Sequence, residues 1–591
     1  MRSALFTLLA LASLAYGQPR TPVVQSVDKP VRVERKAEGC WFIDFGKAAF
    51  GNVQINVPGD EQTTTNVVVQ LGEAISGPDT IDPNAGEYIR YQRHVIDLIS
   101  GKPVSPKLAW KPPEWMKSGW VSRPEGMDEV MPFRYVEIEN APESFSTDWV
   151  QRISWHVPFS DTASSFKSSS PELGGVWDLC KYSIKATSFL GLYVDGDRER
   201  RPYEADALIN QLSHYCVDAR YDTARLTHEY LLAHSTWPTE WQLQSVLLAW
   251  NDFLWSGDDA SIRANYETLK AKAMISRRTA DGLFRGDKND IVDWPAGERD
   301  GYDMGIQAKT VVAAFHYRAL VLLEKIATHL GKTDDAREFA SLAEATRKTI
   351  NEKLWDRSRG CYVDGLDSDT GAVSAHASSH ANFFPLAFGL VPPERVPRVA
   401  AFLKSRGMVC SVYGAQFLLD ALYQAGEAEY AFNLMTTNQL RSWRNMSEKA
   451  GSTVTLEAWD ISLKPNLDWN HAWGAAPANI IPRDLMGIEP IESGFARFRV
   501  RPQIASLTQA SIKMPSPQGP IMLSINRTSD NKWHAEITVP ENTVAEFHLP
   551  PYRRNSLKLS SGKPHKLREE NGRDVIELPA GSYAISLSLK R

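Results

Sequence analysis

The densest reactive chemistry in the sequence is the run Val194-Asp195-Gly196-Asp197-Arg198-Glu199-Arg200-Arg201-Pro202-Tyr203-Glu204-Ala205-Asp206. It follows directly on an apolar strip, Phe189-Leu190-Gly191-Leu192-Tyr193. Five acids and three arginines crowd into the twelve residues from Asp195 to Asp206, whereas a solvated face spreads its charges among polar neutrals. A neighbouring arginine lowers a carboxyl pKa and burial raises it. Such a cluster can therefore keep one carboxyl protonated and others ionised, which is what a general acid needs. The competing account is a structural knot of ion pairs.

A second stretch, Gly451-Ser452-Thr453-Val454-Thr455-Leu456-Glu457-Ala458-Trp459-Asp460, sets a lone acid, Glu457, among small and apolar residues. Asp468-Trp469-Asn470-His471-Ala472-Trp473 follows shortly after. A buried acid ringed by indoles is costly unless a partner or a function explains it. Pro238-Thr239-Glu240-Trp241 and Asp290-Ile291-Val292-Asp293-Trp294-Pro295 also join acid to tryptophan. Either one alone is explained by packing or capping. Four such clusters at spaced helix ends fit helices whose loops converge on one pocket. Two carboxyl groups from distant parts of a chain in a tryptophan-rich pocket are the usual apparatus of glycoside hydrolysis.

The elements that must position these groups change period twice. From about 25 to 160, short β-like runs such as Trp41–Gly46, Val53–Val57, Val67–Leu71 and Phe133–Ile138 alternate with Pro- and Gly-rich loops, an all-β sandwich pattern. From about 165 to 485 the period is helical, and Gly257, Gly331 and Gly426 each end a helix just before a polar or acidic start to the next. After Gly331, Ala336, Phe339, Ala340, Ala343 and Ile350 keep an apolar stripe. Repeated antiparallel pairs predict an α/α toroid or solenoid. From about 490 the β pattern returns. The expected domains are therefore a leader (1–17), an N-terminal β-sandwich (18–163), a helical catalytic domain (164–487) and a C-terminal β-sandwich (488–591).

The 591 residues carry 66 Lys+Arg against 71 Asp+Glu, a net charge of −5, so nothing suggests a nucleic-acid or polybasic membrane-surface partner. A hydrophobic share of 43% excludes a mainly disordered chain. The 18 tryptophans either stack on sugar faces or fill core. Arg2, the apolar run Ala4–Leu14 and Ala15-Tyr16-Gly17 read as a secretory signal cleaved near Gly17, giving a secreted or periplasmic protein without an integral membrane segment. Five dispersed cysteines form no disulfide framework, and buried thiols are the expected fate of most. No phosphate-binding loop, no nucleophile elbow and no dinucleotide fingerprint is present. His376-x-x-x-His380 has metal-ligand spacing but lacks the accompanying glutamate, so no metal and no cofactor are expected.

At these residues the chain resembles the bacterial α-L-rhamnosidases, glycoside hydrolase family 78. Asp44-Phe45-Gly46 and Phe133-Arg134-Tyr135-Val136 resemble its β-domain phrases, and Asp195-Gly196, Arg198-Glu199-Arg200 and Asp206 its acid motif. Further likeness lies in His380-Ala381-Asn382-Phe383, Ala387–Pro392, Gly451–Trp459, Asn470-His471, Leu485–Ile488 and Phe498–Pro502. The resemblance implies a mixed, mainly α fold, an (α/α)6 toroid flanked by β-sandwiches, working with inversion. Glu199 would then be the general acid and Glu457 the general base. Asp195, Arg198 and Asp206 would hold sugar hydroxyls or orient Glu199, and Tyr203, Trp241, Asp293, Trp294, Trp459 and His471 would complete the substrate site. Two departures stand out: Tyr203-Glu204-Ala205-Asp206 replaces the family's usual Trp-x-Gly-Asp, and the spacing from Asp195 to Glu199 is about one residue short.

These observations predict a secreted inverting hydrolase releasing terminal α-L-rhamnose, or a related deoxy sugar, from plant-type glycosides or polysaccharides. Two alternatives stand beside it: a toroid-fold polysaccharide lyase acting on rhamnose- and uronate-containing glycans, and a catalytically silent carbohydrate-binding protein.

Overall fold

The structure, a computed structural model, describes residues 19–59, 64–280, 282–287, 290–560, 567–570 and 572–590. The expected leader at 1–17 lies outside the described residues. Apolar alternation builds the N-terminal region. Along Val150–His156 buried and half-buried residues alternate strictly, as a strand with one face on a core requires. Hydrogen bonding joins eight strands into one sheet, ordered Val24–Asp28, Val150–His156, Cys40–Asn56, Met131–Glu139, Thr64–Gly72 and Tyr91–Ile99. Arg32–Ala37 and Pro103–Val104 add to Cys40–Asn56, whose register against Met131–Glu139 shifts between Asp44 and Ala49. That irregularity lets one 17-residue strand serve neighbours in both halves of the sheet. Its apolar face, with Ile43, Val53, Ile55, Val69, Phe133 and Val136, forms a separate core.

The helices fall in the middle of the chain, as the period predicts. Thr310–His329 and Thr333–Lys353 pair across a joint at Gly331, and Val412–Gln424 and Ala428–Thr436 across Gly426. Gly257, Gly331 and Gly426 all take positive φ, the conformation that stops a helix without steric cost. Helices differ sharply in burial. All 14 residues of Glu204–Val217 are buried, whereas Thr333–Lys353 buries only Phe339, Ala343, Thr346 and Ile350. The first is surrounded by other elements; the second shows one stripe inward and the rest to solvent. Ala340, placed on the predicted stripe, is exposed. Among the described residues no helix is long and apolar enough to cross a membrane.

A nine-stranded C-terminal sheet contains Ile488–Pro490, Arg497–Val500, Gln509–Met514, Ile521–Arg527, Lys532–His548 and Arg573–Ser588. Its edge differs from expectation. Ser165–Ser168, in a stretch read as helical, is a strand pairing with Gln509–Met514, Phe166 opposite Ile512. Four residues are too few to show a helical or a strand period. One continuous apolar core runs from the helices into this sheet. The five cysteines are unpaired; four are buried and Cys40 is half-buried.

The apolar strip before the charged run has a clear role. Phe189, Leu190, Leu192 and Val194 pack against Phe50, Val121, Met127 and Val130 of the N-terminal region. Phe50 and Phe189 stack with ring centroids 3.7 Å apart and planes 9° from parallel. The strip thus glues the sheet to the base of the charged loop. Phe189→Ala should cost about 3–5 kcal/mol through lost burial and a residual cavity. Urea denaturation checks this, and a loss below about 1 kcal/mol would mean the junction does not depend on that ring.

Candidate active site

The charged run is a loop that enters Glu204–Val217. Gly196 makes its path possible: at φ 141° an added Cβ would lie 2.6 Å from Asp468 Oδ2 and 2.9 Å from the Asn470 carbonyl oxygen. The second acid-bearing stretch is therefore packed against the backbone of the first. Glu199 and Glu457 meet there, on one guanidinium.

Arg198 Nη1 donates to Glu457 Oε2 at 2.6 Å and Nη2 to Glu457 Oε1 at 2.7 Å, a bidentate pair. Nη2 also donates to Glu199 Oε1 at 2.8 Å, Nε to the same oxygen at 3.2 Å, and Nη1 to the Asn466 carbonyl at 2.9 Å. All five N–H donors of Arg198 are thereby committed. Glu199 Oε2 accepts the Tyr203 hydroxyl. Glu457 also accepts Lys464 Nζ at 2.9 Å and the Asp468 amide at 3.3 Å. Burial would push the Glu457 carboxyl up, but Arg198, Lys464 and His471 outweigh it and hold it below the usual carboxylate range. Asp195 behaves oppositely. Burial, then the charge of Glu199, push it well above its ordinary value, and its Oδ2 has no hydrogen-bond partner among the described residues.

His471 Nε2 faces Asp206 Oδ1 at 2.7 Å and Nδ1 faces Asp468 Oδ1 at 3.2 Å. Burial would lower its pKa, but Asp468 and Asp206 raise it well above the ordinary value, and each ring nitrogen faces a carboxylate oxygen. Glu457, Asp468 and His471 bring ligand-type atoms within 4.8 Å of one another. Both His471 nitrogens already face carboxylates and Glu457 is engaged by Arg198 and Lys464, so this trio is poorly suited to a metal. His376 and His380 bond to different carboxylates, Asp364 and Asp293.

Asp195, Arg198, Glu199, Glu457 and His471 line a cavity of about 500 Å3 together with Trp115, Trp237, Trp241, Trp294 and Trp473. Its depth is set by Trp241 and Trp473, both buried, and its mouth by Trp115, Trp237 and Trp294, exposed to 59%, 48% and 39%. Of the sequence-predicted residues, Asp195, Arg198, Glu199, Tyr203, Asp206, Trp241, Trp294, Glu457 and His471 all line it. Two do not. Asp293 is fully buried behind the wall, accepting from His380 Nε2 at 2.7 Å, the Ser411 amide at 3.0 Å and the Ser411 hydroxyl. The cause is a sharp turn at Val292 (φ 65°), whose amide and that of Ile291 donate to Glu240 Oε1. That turn presents Asp290 to the cavity in place of Asp293. Trp459 is likewise fully buried, donating to the Cys410 carbonyl at 2.7 Å and packing edge-on against Trp443. Both are framework.

The residues missed come from elsewhere. Trp115 reaches the cavity from the N-terminal region, and Lys464 and Asn466 from the turn after Glu457. Behind the loop, Asp197 accepts Arg90 Nε at 2.5 Å, while Arg90 Nη2 (3.1 Å) and Trp110 Nε1 (2.6 Å) donate to its carbonyl. Arg200 reaches back to Glu129 Oε1 at 2.8 Å. Asn470 joins Glu73, whose carboxyl burial pushes up to about 8, to the Asp197 amide. Loops of the N-terminal region thus grip the outside of the loop whose inside carries Glu199.

The pH consequence is defined. A carboxyl with a lowered folded pKa stabilises the fold above its unfolded pKa, and that stability is lost as pH falls through the folded value. His471, with a raised pKa, contributes below its unfolded pKa and loses that contribution as pH rises through the folded one. Unfolding free energy measured against pH should therefore fall less steeply in Glu457→Gln than in the natural chain below about pH 5. Parallel curves would show that Glu457 is not held ionised.

Residues 161–485 match the model of the bacterial alpha-L-rhamnosidase six-hairpin glycosidase domain, and residues 487–563 that of the bacterial alpha-L-rhamnosidase C-terminal domain. An alpha-L-rhamnosidase of Alteromonas sp. (strain LOR) is 23% identical over 95% of this chain and 61% of its own length. One of Formosa agariphila is 20% identical over 94% of this chain and 60% of its own. The chain thus spans about six tenths of the length of these relatives. Among solved structures, the alpha-L-rhamnosidase of Dictyoglumus thermophilum superposes with TM-score 0.78 at 17% identity, covering 97% of this chain and 65% of the other. That of Streptomyces avermitilis complexed with L-rhamnose gives 0.77 at 20% identity, covering 96% and 54%.

Proposed function

The chain belongs to the bacterial alpha-L-rhamnosidase six-hairpin glycosidase family, and on that premise we propose that it is an inverting glycoside hydrolase releasing terminal α-L-rhamnose or a close deoxy sugar. The observation that carries this reading is the meeting of Glu199 and Glu457, distant in sequence, on Arg198 in a tryptophan-lined cavity. In this reading the helical domain is an (α/α)6 toroid, its loops gathering at the cavity mouth. Export through the segment 1–17 to a secreted or periplasmic site belongs to the same proposal.

Glu199 gives a proton to the glycosidic oxygen as the bond from that oxygen to the anomeric carbon breaks. A water attacks the carbon from the opposite face, and Glu457 takes the proton the water sheds. Held ionised by Arg198, Lys464 and His471, Glu457 has the charge state a base requires. Asp195 is buried beside Glu199, and burial together with that neighbour's charge pushes its carboxyl above the usual range. Arg198 has no donor left for a sugar hydroxyl, so its role is to fix both carboxylates. The exposed tryptophans at the mouth suit a flat leaving group, either an aromatic aglycone or a second sugar ring.

One observation favours a double displacement with retention. Glu199 Oε1 and Glu457 Oε1 both accept from Arg198 Nη2, at 2.8 and 2.7 Å, so these two oxygens lie closer than the roughly 6.5–9.5 Å between carboxyls of an inverting pair. Proton NMR of the first-formed sugar anomer separates the two.

Aryl α-L-rhamnoside should be hydrolysed in preference to other aryl glycosides, and Glu199→Gln and Glu457→Gln should each lose about 10²–10⁴-fold in kcat. Equal activity in all three proteins would sink the assignment. Trp115→Ala should raise KM for a bulky aglycone more than for a small one; a uniform effect would remove Trp115 from the leaving-group side.

A further inference from the structure

Two helices whose first turns reach the tryptophan-lined cavity, Glu204–Val217 and Thr239–Ser256, line a second cavity with later turns, joined there by Thr310–His329. Leu208 and Leu212 of Glu204–Val217, Leu247 and Asn251 of Thr239–Ser256, and Arg318 and Leu322 of Thr310–His329 face a space of about 510 Å3. Its remaining walls come from Val412–Gln424 and from the chain entering the C-terminal sheet, including Arg483, Asp484, Glu489, Arg499, Arg501 and Gln503. No residue of this space lines the first cavity.

Its charges do not balance. Arg483 is paired with Asp420 (3.3 Å) and Glu489 (3.2 Å), and Arg499 with Glu489. Two arginines remain. Neither the Arg318 nor the Arg501 guanidinium makes a hydrogen bond or ion pair among the described residues, and burial lowers the pKa of both. The one further acid, Asp484, forms no ion pair with either of them among the described residues, and burial pushes its carboxyl above the usual range. An unpaired cation out of bulk water is costly, and a guanidinium is built to hold a planar anion with two parallel bonds. Unused polar atoms surround them. Among the described residues the wholly buried Tyr423 hydroxyl has no partner, and the Asn251 and Gln503 side-chain amides make no bond.

We propose that this second cavity binds a small hydroxylated carboxylate, the chemistry of a sugar acid, with Arg318 and Arg501 on the carboxylate and Tyr423, Asn251 and Gln503 on its hydroxyls. The volume lies within the roughly 300–1,000 Å3 of small-molecule sites and far exceeds what a bare inorganic anion needs. The Asn251 and Gln503 amides offer acceptor oxygens as well as donors, which suits the hydroxyls of a sugar acid, whereas phosphate oxygens chiefly accept. The proposal is independent of the reaction assigned to the first cavity. Binding here would bridge the inner helices and the first strands of the C-terminal sheet.

Isothermal titration of the whole chain with D-galacturonate, inorganic phosphate and D-galactose tests it. Galacturonate should bind with a Kd below about 1 mM, phosphate at least about tenfold more weakly, and galactose not at all. Arg318→Gln and Arg501→Gln should each weaken galacturonate about tenfold or more while leaving glycoside hydrolysis unchanged. Glu199→Gln should bind it as the natural chain does, which separates this site from the catalytic cavity. Arg318→Gln should melt no lower than the natural protein, since it removes an unpaired charge. Arg318→Lys, which keeps the charge but not the fork, should also bind weakly and serves if the glutamine variant misfolds. No heat from any anion up to about 10 mM would mean the cavity holds only water. Phosphate binding as tightly as galacturonate would overturn the sugar-acid assignment.

Discussion

A single guanidinium with every donor spent is the constraint from which the rest of the architecture follows. Arg198 is almost wholly buried and lies between two carboxylates, one beside it in sequence and one from the far side of the helical domain. Withdrawing such a charge from water costs several kcal/mol, and only near-ideal geometry recovers it. Lys464 and the Asp468 amide add to Arg198 on Glu457 Oε2, and Tyr203 holds Glu199 Oε2, which leaves Glu457 Oε1 with Arg198 as its one partner among the described residues. The network is also rigid. A loop carrying it must be held from both sides, and the two faces of 195–201 are gripped by the second acid-bearing stretch and by loops of the N-terminal region.

That double grip explains why the N-terminal region belongs to the chemistry as well as the fold. Arg90, Trp110 and Glu129 touch no cavity-lining atom of the two glutamates, yet they fix the backbone on which Glu199 rides. They act at one remove, as positioning groups do. Trp115, from the same region, closes the mouth directly.

Much of this was legible in the residues. Gly257, Gly331 and Gly426 announced the helix joints because only glycine adopts that backbone cheaply, and the joints lie where they were read. The acid run and Glu457 stood out because charge beside apolar sequence demands a partner. What local sequence could not convey is which side of a wall a residue faces. Asp290 and Asp293 sit in the same acid-and-tryptophan phrase, but the backbone at Val292 turns the first into the cavity and the second away. Trp459 and Trp473 look equivalent in sequence; the first bonds to the Cys410 carbonyl in the interior, while the second shows its ring to the cavity. Arg90 and Trp115 were invisible because their partners lie far along the chain, where no short-range pattern reaches.

The short strand Ser165–Ser168 carries a further consequence. It is made early, yet its partner Gln509–Met514 emerges from the ribosome roughly 340 residues later. Throughout that interval the nascent chain holds an unpaired edge next to the start of its first long helix, open to pairing with the wrong neighbour. Closing so wide a loop comes late in folding, because its entropy must be met before the contact rewards it. The C-terminal sheet is therefore less an appendage than a clasp, and the helical domain is finished only when the end of the chain returns to its beginning.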